Sequence, residues 1–142
     1  MKATELMIGD WVMVKVLSQI PNTYVLHTWT ANDYYRDFKV MPIPLTPEIL
    51  EKNGFGSETF LTAEWGRKVY FKEFPGCVVE PADSGKYIFG TTKYWSKTYS
   101  DGSPIDWGTM YESRIYNLQY IHELQHALRL CGLNELADNF KV

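Results

Sequence analysis

Cysteine is scarce. Cys77 and Cys131 are the only two, too few for a disulfide framework or a four-thiolate zinc site. They read as free thiols, which points to a reducing, cytoplasmic setting. Long apolar runs are missing too. The longest is Trp11-Val12-Met13-Val14, far short of the ~20 residues that a membrane-crossing helix needs. Residues 1–5 lead into no stretch of signal-peptide length, so export by that route is not expected. Charge of either sign never accumulates into a block that would mark an interaction tail. The net charge of −3 argues against a protein held to nucleic acid by bulk electrostatics. There is no Gly-rich phosphate loop, because Gly54-Phe55-Gly56 follows a helix pattern instead of joining a strand to one. No G-x-S-x-G nucleophile elbow occurs, and neither cysteine has a histidine beside it in sequence to activate the thiol.

What is abundant is aromatic. Ten Tyr, seven Phe and five Trp make 15% of the chain, which favours strands, since rings suit pleated surfaces. The 142 residues suffice for one domain, or for two small lobes sharing a core. Ile8-Gly9-Asp10 is a turn signal before a strand at 11–17, in which Val12, Val14 and Val16 share one face. Further strands are expected at 23–29 and 34–41, giving a bent antiparallel lobe that resembles a partial barrel. Thr46-Pro47-Glu48 starts a helix: the threonine caps, the proline loses no needed N–H, and the glutamate meets the positive helix end. Asn53-Gly54 stops it. Strands then follow at 59–63, 67–74, 77–80, 86–89 and 94–99. A long helix is expected over 109–131, opened by a capping box of Thr109 and Glu112 and stopped by Gly132, with a further turn or two over 134–140 folded back.

That helix carries the most specific motif. His122-Glu123-Leu124-Gln125-His126 satisfies H-E-x-x-H, the spacing that puts two imidazoles on one helix face to grip zinc, with the glutamate polarising a bound water. A zinc-dependent hydrolase built on His122 and His126 as ligands and Glu123 as general base is therefore one candidate. A third ligand would have to come from Glu135 or Asp138, if the chain reversing at Gly132 returns them toward His126. Against it, Arg129 stands where one peptidase class has glycine, and that class's next histidine is absent. On a wheel of about 100° per residue, Leu118, Ile121, Leu124, Leu128 and Cys131 form the core stripe. His122 and His126 fall near the opposite flank, which is expected to face solvent or a partner. A second candidate lies in the central third, where Tyr70, Phe71, Phe74, Tyr87, Phe89, Tyr94, Trp95 and Tyr99 interleave with Lys68, Lys72, Lys86, Lys93 and Lys97. Such a pattern could bind single-stranded nucleic acid, although core rings with solvated lysines give the same pattern. His27 alternates with Val25 and Trp29 and is expected to be a packed or hydrogen-bonded strand residue.

Three stretches together resemble small uncharacterised proteins of gut Bacteroidetes and their phages or mobile elements. They are Glu5-Leu6-Met7-Ile8-Gly9-Asp10-Trp11-Val12, then Pro42-Ile43-Pro44-Leu45-Thr46-Pro47-Glu48 running to Asn53-Gly54-Phe55, and Ile121-His122-Glu123-Leu124-Gln125 running to Gly132. The resemblance covers most of the chain and is weakest over 57–108. It implies that asparagine commonly stands where this chain has His126, so that the second zinc ligand is peculiar to this chain. That family has no established activity and brings no catalytic residues. It implies a cytoplasmic accessory protein.

The expected fold is α+β, a single domain over 1–142. It has a bent N-terminal antiparallel β-lobe over 1–45, a short connecting helix with a mostly antiparallel sheet over 46–108, and a long C-terminal helical segment over 109–142 laid across it. The expected function is non-enzymatic, with an unidentified protein partner, no cofactor and no membrane. Zinc hydrolysis and single-stranded nucleic-acid binding are the alternatives.

Overall fold

The computed structural model describes residues 5–16, 24–35, 38–60, 67–72, 76–92, 101 and 111–142. Along the chain run β1 (Trp11–Val16), β2 (Val25–Thr28), β3 (Phe38–Met41), α1 (Pro47–Lys52), β4 (Gly56–Phe60), β5 (Arg67–Lys72), β6 (Cys77–Pro81), β7 (Tyr87–Thr92), β8 (Tyr111–Leu118), α2 (Ile121–Leu130) and α3 (Asn134–Asp138). Short 3-10 turns lie at Ala31–Tyr35 and Asp83–Gly85. The fold is α+β, with a three-stranded and a five-stranded antiparallel sheet, neither closed into a barrel. No helix of the described residues is long and apolar enough to cross a membrane. The strand expected at 94–99 lies outside the described residues.

Contacts divide the chain into two compact units, Met1–Leu45 with Tyr120–Val142, and Thr46–Gln119. In the first, β1 is the middle strand, paired antiparallel with β2 and β3. The alternation read from the sequence holds: Val12 and Val14 point inward and are buried with Leu6 and Trp29, with Val40 packed against them. Helix α2 packs on β1 and α3, and buries Ile121, Leu124, Ala127 and Leu128. The Pro42-Ile43-Pro44 segment meets the start of α2: Pro44 bridges Tyr120, and the Ile121 N–H donates to Ile43 O at 2.9 Å.

The second unit is a meander in the order β4-β5-β6-β7-β8. Its middle strand is buried on both faces, at Cys77, Val78, Val79 and Glu80. Helix α1 begins as its sequence dictates. Thr46 is the N-cap and Oγ1 accepts from the Ile49 N–H, with Pro47 in the first turn.

The long helix expected over 109–131 is not formed. Its first part is strand β8, paired with β7, and Glu112 is an exposed strand residue instead of a helix cap. Thr109 lies outside the described residues. The i, i+3 spacing of Ile115 and Leu118 imitates a helix. Yet Tyr111, Ile115 and Tyr116 suit a strand, and ladder bonds to β7 outweigh a weak local helical tendency. Asn117 then turns the chain through the left-handed region, at φ 64, which asparagine tolerates better than most residues. The helix proper opens at Tyr120, whose N–H donates to Glu123 Oε1 at 3.0 Å.

Both longer helices stop by the same device. In α2 the Gly132 N–H donates to Arg129 O and the Leu133 N–H to Leu128 O, and in α1 the Gly54 and Phe55 N–H groups donate to Glu51 O and Leu50 O. These are the paired bonds of a Schellman stop. At Gly132 φ is +78, and an added Cβ would meet nothing within 4 Å. Gly132→Ala thus tests backbone strain alone. Left-handed strain in the folded chain, partly offset by a stiffer unfolded chain, should cost about 1 kcal/mol in urea unfolding. An unchanged midpoint would mean that this stop does not set the end of α2.

Candidate functional site

The residues with chemistry in the first unit gather around one carboxylate. Asp10 is wholly buried at the mouth of β1. The turn that places it is closed by the Asp10 N–H donating to Met7 O and the Met7 N–H donating to Asp10 Oδ2 at 2.8 Å. Two backbone bonds fix the same turn to the end of β2: the Gly9 N–H donates to Trp29 O, and the Trp29 N–H to Asp10 O, both at 2.8 Å. From α2, His126 Nε2 donates to Asp10 Oδ2 at 2.5 Å, and Arg129 Nη1 donates to Asp10 Oδ1 at 2.6 Å. An ionised carboxylate only accepts, so the His126 proton on this bond sits on Nε2. Burial pushes the Asp10 carboxyl up, but the bonds from His126, the Met7 N–H and Arg129 outweigh it and hold it below its ordinary value.

Two further residues complete the attachment. Gln125, also wholly buried, accepts from the Trp11 N–H at 2.8 Å through Oε1 and donates through Nε2 to Gly9 O at 2.9 Å and Ala137 O at 3.0 Å. One side-chain amide thereby satisfies backbone groups of the turn, of β1 and of α3. Gly9 makes room for Arg129: φ is +93, and a Cβ there would stand 2.8 Å from Nη2. The Trp11 indole N–H donates to Phe140 O at 2.7 Å, closing the C-terminal end onto β1.

On the histidine flank of α2, His122 is buried and His126 half-buried, contrary to the expectation that this flank faces solvent or a partner. His122 is 6% exposed. The turn carrying Gly9 and Asp10 covers this flank, and the wheel could not show that, because the cover is more than a hundred residues away in sequence. The His122 ring stacks on Tyr120 at 5.9 Å and meets the His126 ring edge-on at 5.6 Å. Burial lowers its pKa below the ordinary value. Asp10 opposes that shift and His126 adds to it.

Of the sequence-predicted zinc set, His122 and His126 are adjacent, Glu123 is bonded to the helix-opening N–H of Tyr120, and Glu135 is exposed. Asp138 does return after Gly132, but toward Arg129, with Oδ1 at 3.5 Å from Nη2. Among the described residues, no three His, Cys, Asp or Glu side chains form a group placed to hold a metal ion. Asp10, Gln125 and Arg129 were missed as site residues. The one available signal is that Asp10 lies two residues before the inward-facing Val12, in phase with the buried face of β1.

A second buried carboxylate follows the same plan. Asp33 Oδ2 accepts from His27 Nε2 at 2.6 Å, the Thr30 N–H at 2.7 Å and Thr30 Oγ1 at 2.9 Å. Burial raises the Asp33 pKa, and the His27 and Thr30 bonds more than reverse it. His27 is thus the hydrogen-bonded strand histidine that its alternation suggested. In the central third, Tyr70, Tyr87 and Phe89 are buried in the sheet. Lys68 lies over the Tyr70 ring and Lys72 over Phe55. Phe74, Lys93, Tyr94, Trp95, Lys97 and Tyr99 lie outside the described residues. Neither cysteine is in a disulfide, and burial raises the Cys131 thiol. No family model, curated protein or solved structure matches this chain.

Asp10→Asn removes the charge that His126 and Arg129 share and leaves two donors facing a neutral amide. It should destabilise by about 3 kcal/mol. Glu123→Gln, which touches one helix-end bond, should cost about 1 kcal/mol or less. Equal effects in urea titrations would refute this ranking. Both Asp10 and Asp33 are ionised more readily folded than unfolded. Their stabilisation is complete above the ordinary carboxylate value, about 4, and is lost as pH falls through their lower folded values. Asp10→Asn should flatten that acid limb.

Proposed function

We propose that this chain is a non-enzymatic accessory protein that works by binding another protein, of the kind carried by phages or mobile elements. Two cysteines without a disulfide fit a place in the cytoplasm. The observation that carries the binding role is an apolar row across the three-stranded sheet. Leu26, Met13 and Met41 stand opposite one another on β2, β1 and β3, with Leu26 53% and Met41 39% exposed. Directly paired residues share a face, and methionine-rich apolar surface adapts readily to a partner. The edge strand β2, Val25–Thr28, carries no acidic or lysine residue of the sort that guards an edge against pairing.

The zinc-hydrolase alternative would require His126 to ligate through Nδ1 or to leave Asp10, and Glu123 to leave the Tyr120 N–H. The nucleic-acid alternative would require ring faces, and Tyr70, Tyr87 and Phe89 lend theirs to the core. A protein partner asks for no such rearrangement.

The test is native purification with cross-linking of the wild type and a Leu26→Glu, Met41→Glu variant. The wild type should elute with one stoichiometric partner, and the variant should elute alone with unchanged melting. A wild type that elutes alone overturns the proposal. So does near-stoichiometric zinc that His126→Asn abolishes, which would establish the hydrolase.

A further inference from the structure

We infer that His122 is an acid-sensitive latch: a buried neutral imidazole whose protonation releases helix α2 from the Gly9–Asp10 turn. The geometry leaves a second proton on this ring poorly placed. Nδ1 is buried and has no hydrogen-bond partner among the described residues. The ring is stacked on Tyr120, at an interplanar angle of 9°, and edge-on to His126. A cation there would stand beside His126 on a ring only 6% exposed, where a new charge is costly unless paired.

The surrounding charges do not supply that pairing. From the segment before β1, Asp10 and Glu5 face His122, and from its own helix Glu123 and His126 do. Asp10 already accepts from Met7, His126 and Arg129. Glu123 accepts from the Tyr120 N–H, and Glu5 is exposed. Relief comes from opening: moving the first turns of α2 off the Asp10 turn returns the ring to water. That motion breaks the bonds of Gln125 and His126 together, because all three side chains lie on one flank of the helix.

The sign follows from linkage. A histidine buried neutral binds its proton more weakly folded than open, so it costs nothing above the ordinary imidazole value, about 6.5. Closure weakens as pH falls below that value, until the folded form takes the proton as well. This window lies above the one in which Asp10 and Asp33 titrate.

The experiment is amide exchange between pH 8 and 5, corrected for intrinsic rates, together with NMR titration of the histidine rings of the wild type. Protection of α2 and of residues 9–11 should fall by up to about tenfold per pH unit below 6.5, while β6 amides in the other unit hold. His122→Gln should abolish the pH dependence, and the wild-type His122 ring should titrate below the ordinary value. Should that variant fail to fold, the wild-type ring titration decides alone. A His122 ring that titrates at or above the ordinary value overturns the latch. So does acid loosening that survives in His122→Gln and vanishes in His126→Asn, which would place the switch in the Asp10 pair.

Discussion

The first unit depends on a carboxylate that has no water. Removing Asp10 from solvent costs several kcal/mol, and only a nearly complete set of donors offsets it. The chain supplies them from two places: Met7 from the same turn, His126 and Arg129 from a helix more than a hundred residues later. Neither part can satisfy Asp10 alone. The turn without the helix leaves a buried anion short of charge, and the helix without the turn leaves a histidine and an arginine facing nothing. Mutual requirement of this kind contributes less to net stability than to uniqueness, because it rejects other docking angles for α2.

Gln125 extends the constraint from charge to backbone. Its three bonds cap the Trp11 N–H and the Gly9 and Ala137 carbonyls, groups that would each be costly to bury unpaired. Asp33 repeats the scheme at the same end of β2, drawing His27 and Thr30 around it. Trp29 is bonded through its backbone to the turn that carries Asp10. The unit thus holds a small apolar core, Leu6, Val12, Val14 and Trp29, together with two anchored anions. The second unit buries a carboxylate as well, Glu80 on the doubly buried β6, within its strand ladder.

What could be read from the sequence was local. Alternating valines placed β1 and its inward face, Thr46-Pro47 opened α1, and Gly132 closed α2. Each follows from side chains acting on their own neighbourhood. The failures share a cause. Residues 111–118 form a strand because β7 lies alongside, and His122 is buried because residues 9 and 10 cover its flank. Both are facts about partners distant in sequence. The three stretches that carried the resemblance include Gly9, Asp10, Ile43, Pro44, His122 and Gln125, so what looked like scattered motifs is largely one contact set.

The H-E-x-x-H spacing deserves a physical explanation of its own. Two histidines four residues apart share a helix face whatever they are for, and what they become depends on the third group that meets them. Here that group is a carboxylate, which would suit a metal, but it arrives with Arg129 already 2.6 Å from its other oxygen. A guanidinium stays protonated at any ordinary pH. It neutralises Asp10 and sets a fixed positive charge beside the place a divalent ion would occupy, so the two cations would repel at short range in a medium of low dielectric. The same flank is complementary to an anion, and the anion it holds in this structure is the protein's own.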